Sequence, residues 1–482
     1  MNVRLVLYIL GVLLIFLAIS MLLPAIVSLI YSENDLPAIL VSAAISAILG
    51  IILFLSCKAK HELRIREGFA VVTMAWLCYA IIGSLPFYIS GYIPLFSDAF
   101  FETMSGFTTT GASILNTGDF QNFTHGLLFW RSFTHWLGGM GIILLSLAIL
   151  PLLGIGGMQL YRAEVPGPEH DRITPRIRNT AKILWQVYIL ISVAEVVLLY
   201  LAGMSLFDAL CHTFGTMATG GFSTRASSIG FYNNYIIDYI IVFFMMIAGI
   251  NFSLHYRALK GNLKSHWTDP ETRFFILLIM GATVIIGIDI YFFKEYSLFT
   301  SIQKGLFQVV SIITTTGYTT DDYQLWGSSS QIILFIFMFI GGCAGSTGGG
   351  IKIIRIMVIL KFGLNEIKRL LHPAAVLPVR IGKRSIPHEI VANICGFFLI
   401  YLLLFIIGII FMSILGLDFK TSLGSVAATI GNIGPGLGGV GPAGNYADVP
   451  VIGKWFLSFL MLFGRLEIYT VIVLITPVFW RK

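Results

Sequence analysis

Long apolar runs alternate with short polar gaps along almost the whole chain. About 20 apolar residues suffice to cross roughly 30 Å of hydrocarbon as a helix. On that measure ten spanning segments are expected, at 5–30, 37–57, 68–90, 130–153, 182–203, 236–258, 273–293, 331–360, 389–416 and 455–479. Four of the gaps hold something that is neither span nor aqueous loop: SDAFFETMSGFTTTGAS, SLFDALCHTFGTMATGGFST, SLFTSIQKGLFQVVSIITTTGYTT and KTSLGSVAATIGNIGPGLG. Each begins with about three turns of helix-compatible spacing and ends on small residues around a glycine, namely Gly111, Gly220, Gly317 and Gly434. Such a helix is too short to span and too apolar to float. A re-entrant segment satisfies both limits, because irregular backbone at membrane depth is tolerated where it lines a water-filled cavity. One such tripeptide reads as an ordinary turn, whereas four copies in register with four hairpins read as an internal repeat.

The expected fold is therefore an all-α polytopic membrane protein, with four pseudo-repeated helix/pore-loop/helix units around one pore and two extra N-terminal transmembrane helices. The boundaries read as 1–67 for the extension, then 68–156, 157–260, 261–372 and 373–482 for the four units. Composition agrees, with 57% of 482 residues apolar and 11% charged. The first run has no small-residue cleavage pattern after it and reads as a retained helix.

Charge adds topology. Most lysines and arginines fall in alternate gaps, and only Arg225, Lys294, Lys304, Lys420 and Lys454 sit in the others, which places both termini in the cytoplasm. The net charge of +7 thus reflects orientation, and nucleic acid is not an expected partner. Asp98, Glu102, Asp119, Asp208, Glu295, Asp321, Asp322, Asp418 and Asp448 lie in the outer gaps, where an acidic face would concentrate cations. The five cysteines show no paired spacing, and no histidine pattern fits a metal site. No nucleophile–base constellation is present, so an enzyme is not expected.

Further features stand out inside the spans. GGCAGSTGGG at 341–350 interrupts an apolar run with six glycines, each costing about 1 kcal/mol relative to Ala in a helix. A phosphate-binding loop would need GxxxxGK after a strand, so the choice lies between a packing kink and a polar loop lining the pore. Arg465 sits mid-span in FLMLFGRLEIYTVIVLIT; it must face protein or water, either as a salt bridge between helices or as a positive barrier to cations. Glu467, two residues on, points elsewhere and is not its obvious partner. Glu195 and Asp289 are weak candidates for proton carriers, and His135 reads as a packed histidine. Two basic cytoplasmic stretches, 157–182 and 361–388, suit lipid headgroups or a docked subunit.

The segments TTTGAS, ATGGFST, TTTGYTT and GNIGPG, each between two spans, resemble the four filter segments of the Trk/Ktr/HKT superfamily of potassium transporters, and the two extra N-terminal helices favour the TrkH type. The resemblance covers the chain from about Gly68 onward. It implies a selectivity filter of Gly111, Gly220, Gly317 and Gly434, with carbonyls from Thr110, Thr219, Thr316 and Ile433 at the same level and Asn432 replacing a hydroxyl in the fourth copy. Potassium would be held at those carbonyls as the permeant ion, with no organic cofactor in this chain. It further implies a gate at Gly345, Ser346, Thr347, Gly348 and Gly349 together with Arg465, a bacterial inner-membrane location, a homodimer, and a cytosolic RCK-type nucleotide-binding subunit (TrkA-like), since no GxGxxG follows a strand here. The competing reading is a proton- or sodium-coupled secondary symporter built from broken helices.

Overall fold

The computed structural model describes residues 1–57, 64–141, 177–382 and 384–480. Among them the only strands are Arg380–Ile381 and Arg384–Ser385, a small antiparallel hairpin; everything else regular is helical. Six helices are long and apolar enough to cross a membrane, or up to eight if each of two bent pairs is one span.

The first two spans, Val3–Tyr31 and Leu36–Ser56, pack against each other through glycines. A Cβ on Gly50 would lie 2.9 Å from the Gly11 carbonyl oxygen, so only glycine allows the backbones this close. Tyr79 then joins the pair to the next helix by donating to the Leu13 carbonyl at 2.8 Å.

From there the same order of elements occurs four times. A long helix (Ile65–Gly83, Ile177–Leu201, Pro270–Phe293, His388–Ile414) leads to a short one (Phe96–Phe107, Leu206–Met217, Leu298–Ile313, Phe419–Ile430). An extended stretch follows, then a second helix (His125–Trp136, Tyr235–Ala248, Ser328–Phe337, Val451–Arg465). The long helices keep large apolar side chains exposed, as with Leu190, Val193 and Leu201 or Leu403, Ile406 and Ile410, which suits a lipid surround. The short helices are buried, and three are N-capped by a hydroxyl or carboxylate: Ser205 accepts from Asp208 N at 3.0 Å, Ser297 from Thr300 N at 3.2 Å and Asp418 from Thr421 N at 3.1 Å.

All four second helices stop or bend after three to four turns, whereas the apolar pattern shows a break only in the third. The first passes into a π turn at Leu137–Gly141. The second bends by 102° before Phe252–Leu259, with Asn251 capping the new helix by accepting from Ser253 N at 2.8 Å. The third enters the glycine-rich loop and resumes as Ile353–Leu371. The fourth bends by 120° into Tyr469–Ile475, through Glu467 and Ile468 at φ of 56° and 55°. The continuous spans expected at 236–258 and 455–479 are therefore each two helices. Hydropathy misses this because one polar residue at each bend, Asn251 and Glu467, barely lowers the average over a span-length window. The segment expected at 130–153 leaves the described residues after Gly141, as does most of the stretch 157–182.

Candidate functional site

Each short helix ends in the same turn. Thr109, Thr219, Thr315 and Asn432 adopt φ between 53° and 59°. The next amide in each copy reaches back five residues: Thr110 N to Ser105 O at 2.9 Å, Gly220 N to Gly215 O at 2.7 Å, Thr316 N to Ser311 O at 2.8 Å and Ile433 N to Ala428 O at 2.9 Å. This is the Schellman arrangement, which normally recruits glycine at its left-handed position. Here three of four copies place a β-branched threonine there, a strain of about 1–3 kcal/mol each, of a kind that clusters at functional sites. Asn432 is better tolerated in that conformation, and its amide donates to Thr110 Oγ1 at 3.0 Å, across the joint between the fourth and first units.

The residue after each bonded amide is a glycine with φ from 78° to 97°: Gly111, Gly221, Gly317 and Gly434. This corrects the register of the second copy by one. Gly221, not Gly220, occupies the equivalent place, Gly220 stands level with Thr110, Thr316 and Ile433, and Thr219 aligns with Thr109. The doubled glycine of ATGGFST hides the offset, since either fits the motif and only the dihedral angles choose.

These glycines close a ring. A Cβ on Gly111 would overlap the Gly220 carbonyl oxygen, one on Gly221 that of Thr316, one on Gly317 that of Ile433, and one on Gly434 would lie 2.7 Å from that of Thr110. Unit one thus abuts two, two abuts three, three abuts four, and four returns to one. Every contact is glycine against backbone carbonyl. Outside the ring an open cavity of about 100 Å³ is lined by all four glycines together with Ser113, Ser223, Thr319 and Tyr446. The short helices end at the ring, so the negative ends of four macrodipoles converge there.

The glycine-rich loop lies against the other side of the ring. Thr347 Oγ1 donates to the carbonyl of Met217, last residue of the second short helix, at 3.0 Å. Gly349 N donates to Thr315 Oγ1 at 2.6 Å, and a Cβ on Gly349 would lie 2.7 Å from the Gly431 carbonyl oxygen. Cys343 N bonds to the Gly249 carbonyl at 2.9 Å, at the bend of the second unit. Arg465 crosses the loop, donating to Thr347 O at 2.7 Å and to Gly138 O and Gly139 O at 2.8 and 2.7 Å. Its partners include the loop and the π turn of the first unit, so it joins units four, three and one. Glu467, beyond the end of that helix, pairs with Arg355. Lys352 donates to the Gly348 carbonyl.

Glu271 escapes sequence reading. It lies in the first turn of Pro270–Phe293 and accepts from Ala344 N at 2.8 Å and Ile354 N at 3.0 Å, tying the loop and the start of the helix after it to one carboxylate oxygen. A carboxylate at a helix start reads as a dipole partner, so nothing in DPET marks this role.

Four of the acids expected to form an outer attractant field are held in ion pairs. Asp98 pairs with Lys454 at 2.9 Å, Asp208 with Arg225 at 2.9 Å, Asp321 with Lys304 at 2.9 Å, and Glu102 with Arg131 at 2.6 Å. Glu102 is also 1% exposed. Burial and pairing weaken the long-range field expected of these four, out of the nine acids counted in those gaps. Asp289 accepts from the hydroxyls of Ser329 and Ser330, and Glu195 is fully buried. No group of three or more His, Cys, Asp or Glu among the described residues could hold a metal ion.

Residues 36–481 match the model of a family described as TrkH, cation transport protein. The chain is 45% identical over 487 residues to the Trk system potassium uptake protein TrkH of Salmonella typhimurium and 44% identical to that of Escherichia coli K12, covering 100% of both sequences in each case. It is similar to the crystal structure of the potassium transporter TrkH from Vibrio parahaemolyticus, with 40% identity, 100% of each chain covered and a TM-score of 0.90.

Proposed function

Because the chain belongs to the TrkH family of cation transport proteins, we propose that it takes up potassium across the bacterial inner membrane through a channel-like pore whose filter is the ring of Gly111, Gly221, Gly317 and Gly434. The observation that carries this reading is the closure of that ring by the carbonyls of Thr110, Gly220, Thr316 and Ile433. Backbone carbonyls at such a level replace the hydration oxygens of an alkali cation, and converging helix C-termini favour its charge. The names of the relatives, potassium uptake proteins, supply the ion.

Beneath the filter the loop 341–350 acts as the gate. It closes on three of the four short-helix ends and is held by Arg465, whose positive charge raises a barrier to cations. The pore is a single-chain assembly of the four units 68–156, 157–260, 261–372 and 373–482, and both termini face the cytoplasm. A homodimer and a cytosolic RCK-type partner complete the system, the partner acting through the basic stretch that follows the loop and supplying nucleotide control.

Rubidium uptake into proteoliposomes, with and without an imposed proton gradient, tests the reading. A pore predicts flux that follows the rubidium electrochemical gradient and is indifferent to the proton gradient beyond its effect on voltage. Uptake of a second ion in fixed ratio would replace the pore with a coupled symporter.

A further inference from the structure

The four filter segments are not held in the same way. In the first and third, the residue before the ring glycine is a threonine tied to its own segment: Thr110 Oγ1 lies 2.7 Å from Thr108 Oγ1, and Thr316 Oγ1 lies 2.8 Å from Thr314 Oγ1. In the fourth it is Ile433, fully buried. In the second it is Gly220, which has no side chain and is followed by another glycine. Two consecutive glycines have the widest conformational freedom of any dipeptide in the ring, so this segment needs an external brace.

The first unit supplies one. The imidazole of His135 fills the space beside Gly220, where an added Cβ would lie 2.5 Å from its Cγ. His135 donates through Nδ1 to the Gly106 carbonyl at 2.8 Å and accepts at Nε2 from Phe222 N at 3.2 Å, just past Gly221. One turn earlier on the same helix, Arg131 donates through a terminal guanidinium nitrogen to the Ser223 carbonyl at 2.9 Å. Its guanidinium also sits 3.5 Å from the centroid of the Phe222 ring. Its Nε bonds Glu102 at 2.6 Å, and Glu102 further accepts from Ser113 Oγ and Ile114 N at 2.9 Å each, fixing the segment that follows Gly111. The ion pair has side-chain exposures of 3% and 0%.

We infer that Glu102, Arg131 and His135 are positioning residues for ion selectivity, bracing the doubled-glycine segment of unit two from behind so that the Gly220 carbonyl stays in the ring. The inference rests on the reading of that ring as an ion filter. Around the ring glycines the other joints meet through neutral groups: Tyr318 OH to Phe222 O at 3.2 Å, Tyr323 OH to Gly436 O at 2.5 Å, and Tyr446 N to Ser113 O at 2.9 Å; the charged contacts of Lys454 with Asp98 and of Arg465 with Gly138 and Gly139 fall outside the filter segments. At the most pliable segment, a charged donor holds the carbonyl of Ser223, two residues past the glycine pair. A guanidinium can serve two acceptors in one plane, which an ammonium cannot.

The test is the ratio of rubidium to sodium uptake by the reconstituted full chain, a quantity independent of how much protein inserts. Arg131→Lys keeps a positive charge opposite Glu102 but cannot also hold the Ser223 carbonyl. His135→Asn leaves the ion pair intact and removes the contact beside Gly220. Each should lower the ratio on the order of tenfold, the factor set by about 1.4 kcal/mol, with rubidium flux per inserted protein largely retained. If Arg131→Lys fails to insert, His135→Asn carries the same comparison alone. Reduced insertion with an unchanged ratio would show a purely structural role and overturn the inference. Wild-type vesicles that take up no rubidium would instead sink the filter reading, and this inference with it.

Discussion

Gly111, Gly221, Gly317 and Gly434 each combine a positive φ with a carbonyl where a Cβ would stand. Alanine there meets two separate obstacles: a left-handed conformation costing about 1–2 kcal/mol and an overlap that can be relieved only by moving the neighbouring carbonyl. Gly221→Ala should therefore lower the preference of rubidium over sodium in a competition assay, as should the other three. Gly317→Ala with an unaltered preference would remove the third unit from the filter. Glu102 makes a second point at this scale. Counting charges puts it in an outer field, yet its carboxylate holds Arg131, Ser113 and Ile114. Glu102→Gln leaves a buried guanidinium uncompensated, a change that costs about 3–5 kcal/mol, and should lower the melting temperature of the purified protein. A melting temperature equal to wild type would mean the pair contributes no net stability.

Among elements, the broken second helices matter most. A helix that stops at the depth of the ring leaves backbone groups free to bond across units, and the loop 341–350 takes two of these, Cys343 N and Thr347 N donating to the Gly249 and Ala248 carbonyls. Six glycines give the loop many backbone arrangements of similar energy, so it can leave this one when a few hydrogen bonds are exchanged. Arg465 holds it in place through Thr347 and two carbonyls of the π turn. Arg465→Ala removes both a clamp and a positive charge and should raise rubidium flux per inserted protein. Lower flux at normal insertion would make Arg465 part of the conducting state instead. Deleting Gly345 to Gly349 tests the loop directly: flux should rise and lose its dependence on a cytosolic partner, and partner control that survives the deletion would move the gate elsewhere.

At the scale of the whole molecule, four of the nine acids in the gaps that carry the short helices are held in ion pairs. Asp98 with Lys454 joins the first and fourth units, while Lys304 with Asp321 stays within the third. A pair of opposite charges at contact has a field that falls off faster than that of a lone charge, and salt screens it further. Uptake by Asp98→Asn and Asp321→Asn should consequently show the same fractional change at low and high ionic strength. A loss confined to low ionic strength would restore the acids as an attractant.

The sequence alone determines the class of protein, the order of its elements and the place of the four glycine-bearing segments, because apolar runs of spanning length and a repeated short motif are local properties that lipid and chain geometry force on any fold. It also marks Arg465 and the loop 341–350, since a charge or a glycine cluster in hydrocarbon is costly enough to stand out. Only the tertiary structure decides which glycine of the pair at 220 and 221 enters the ring, because either satisfies the motif and the choice lies in a dihedral angle next to the bond that Phe222 N donates to His135 across a unit boundary. The same holds for the bends at 249–251 and 466–468, for Glu271 at the foot of the loop, and for the pairing of the outer acids. Most of these depend on partners far away in the chain, such as Asp98 with Lys454 or Glu271 with Ala344, and no short window of sequence contains both sides of such a contact.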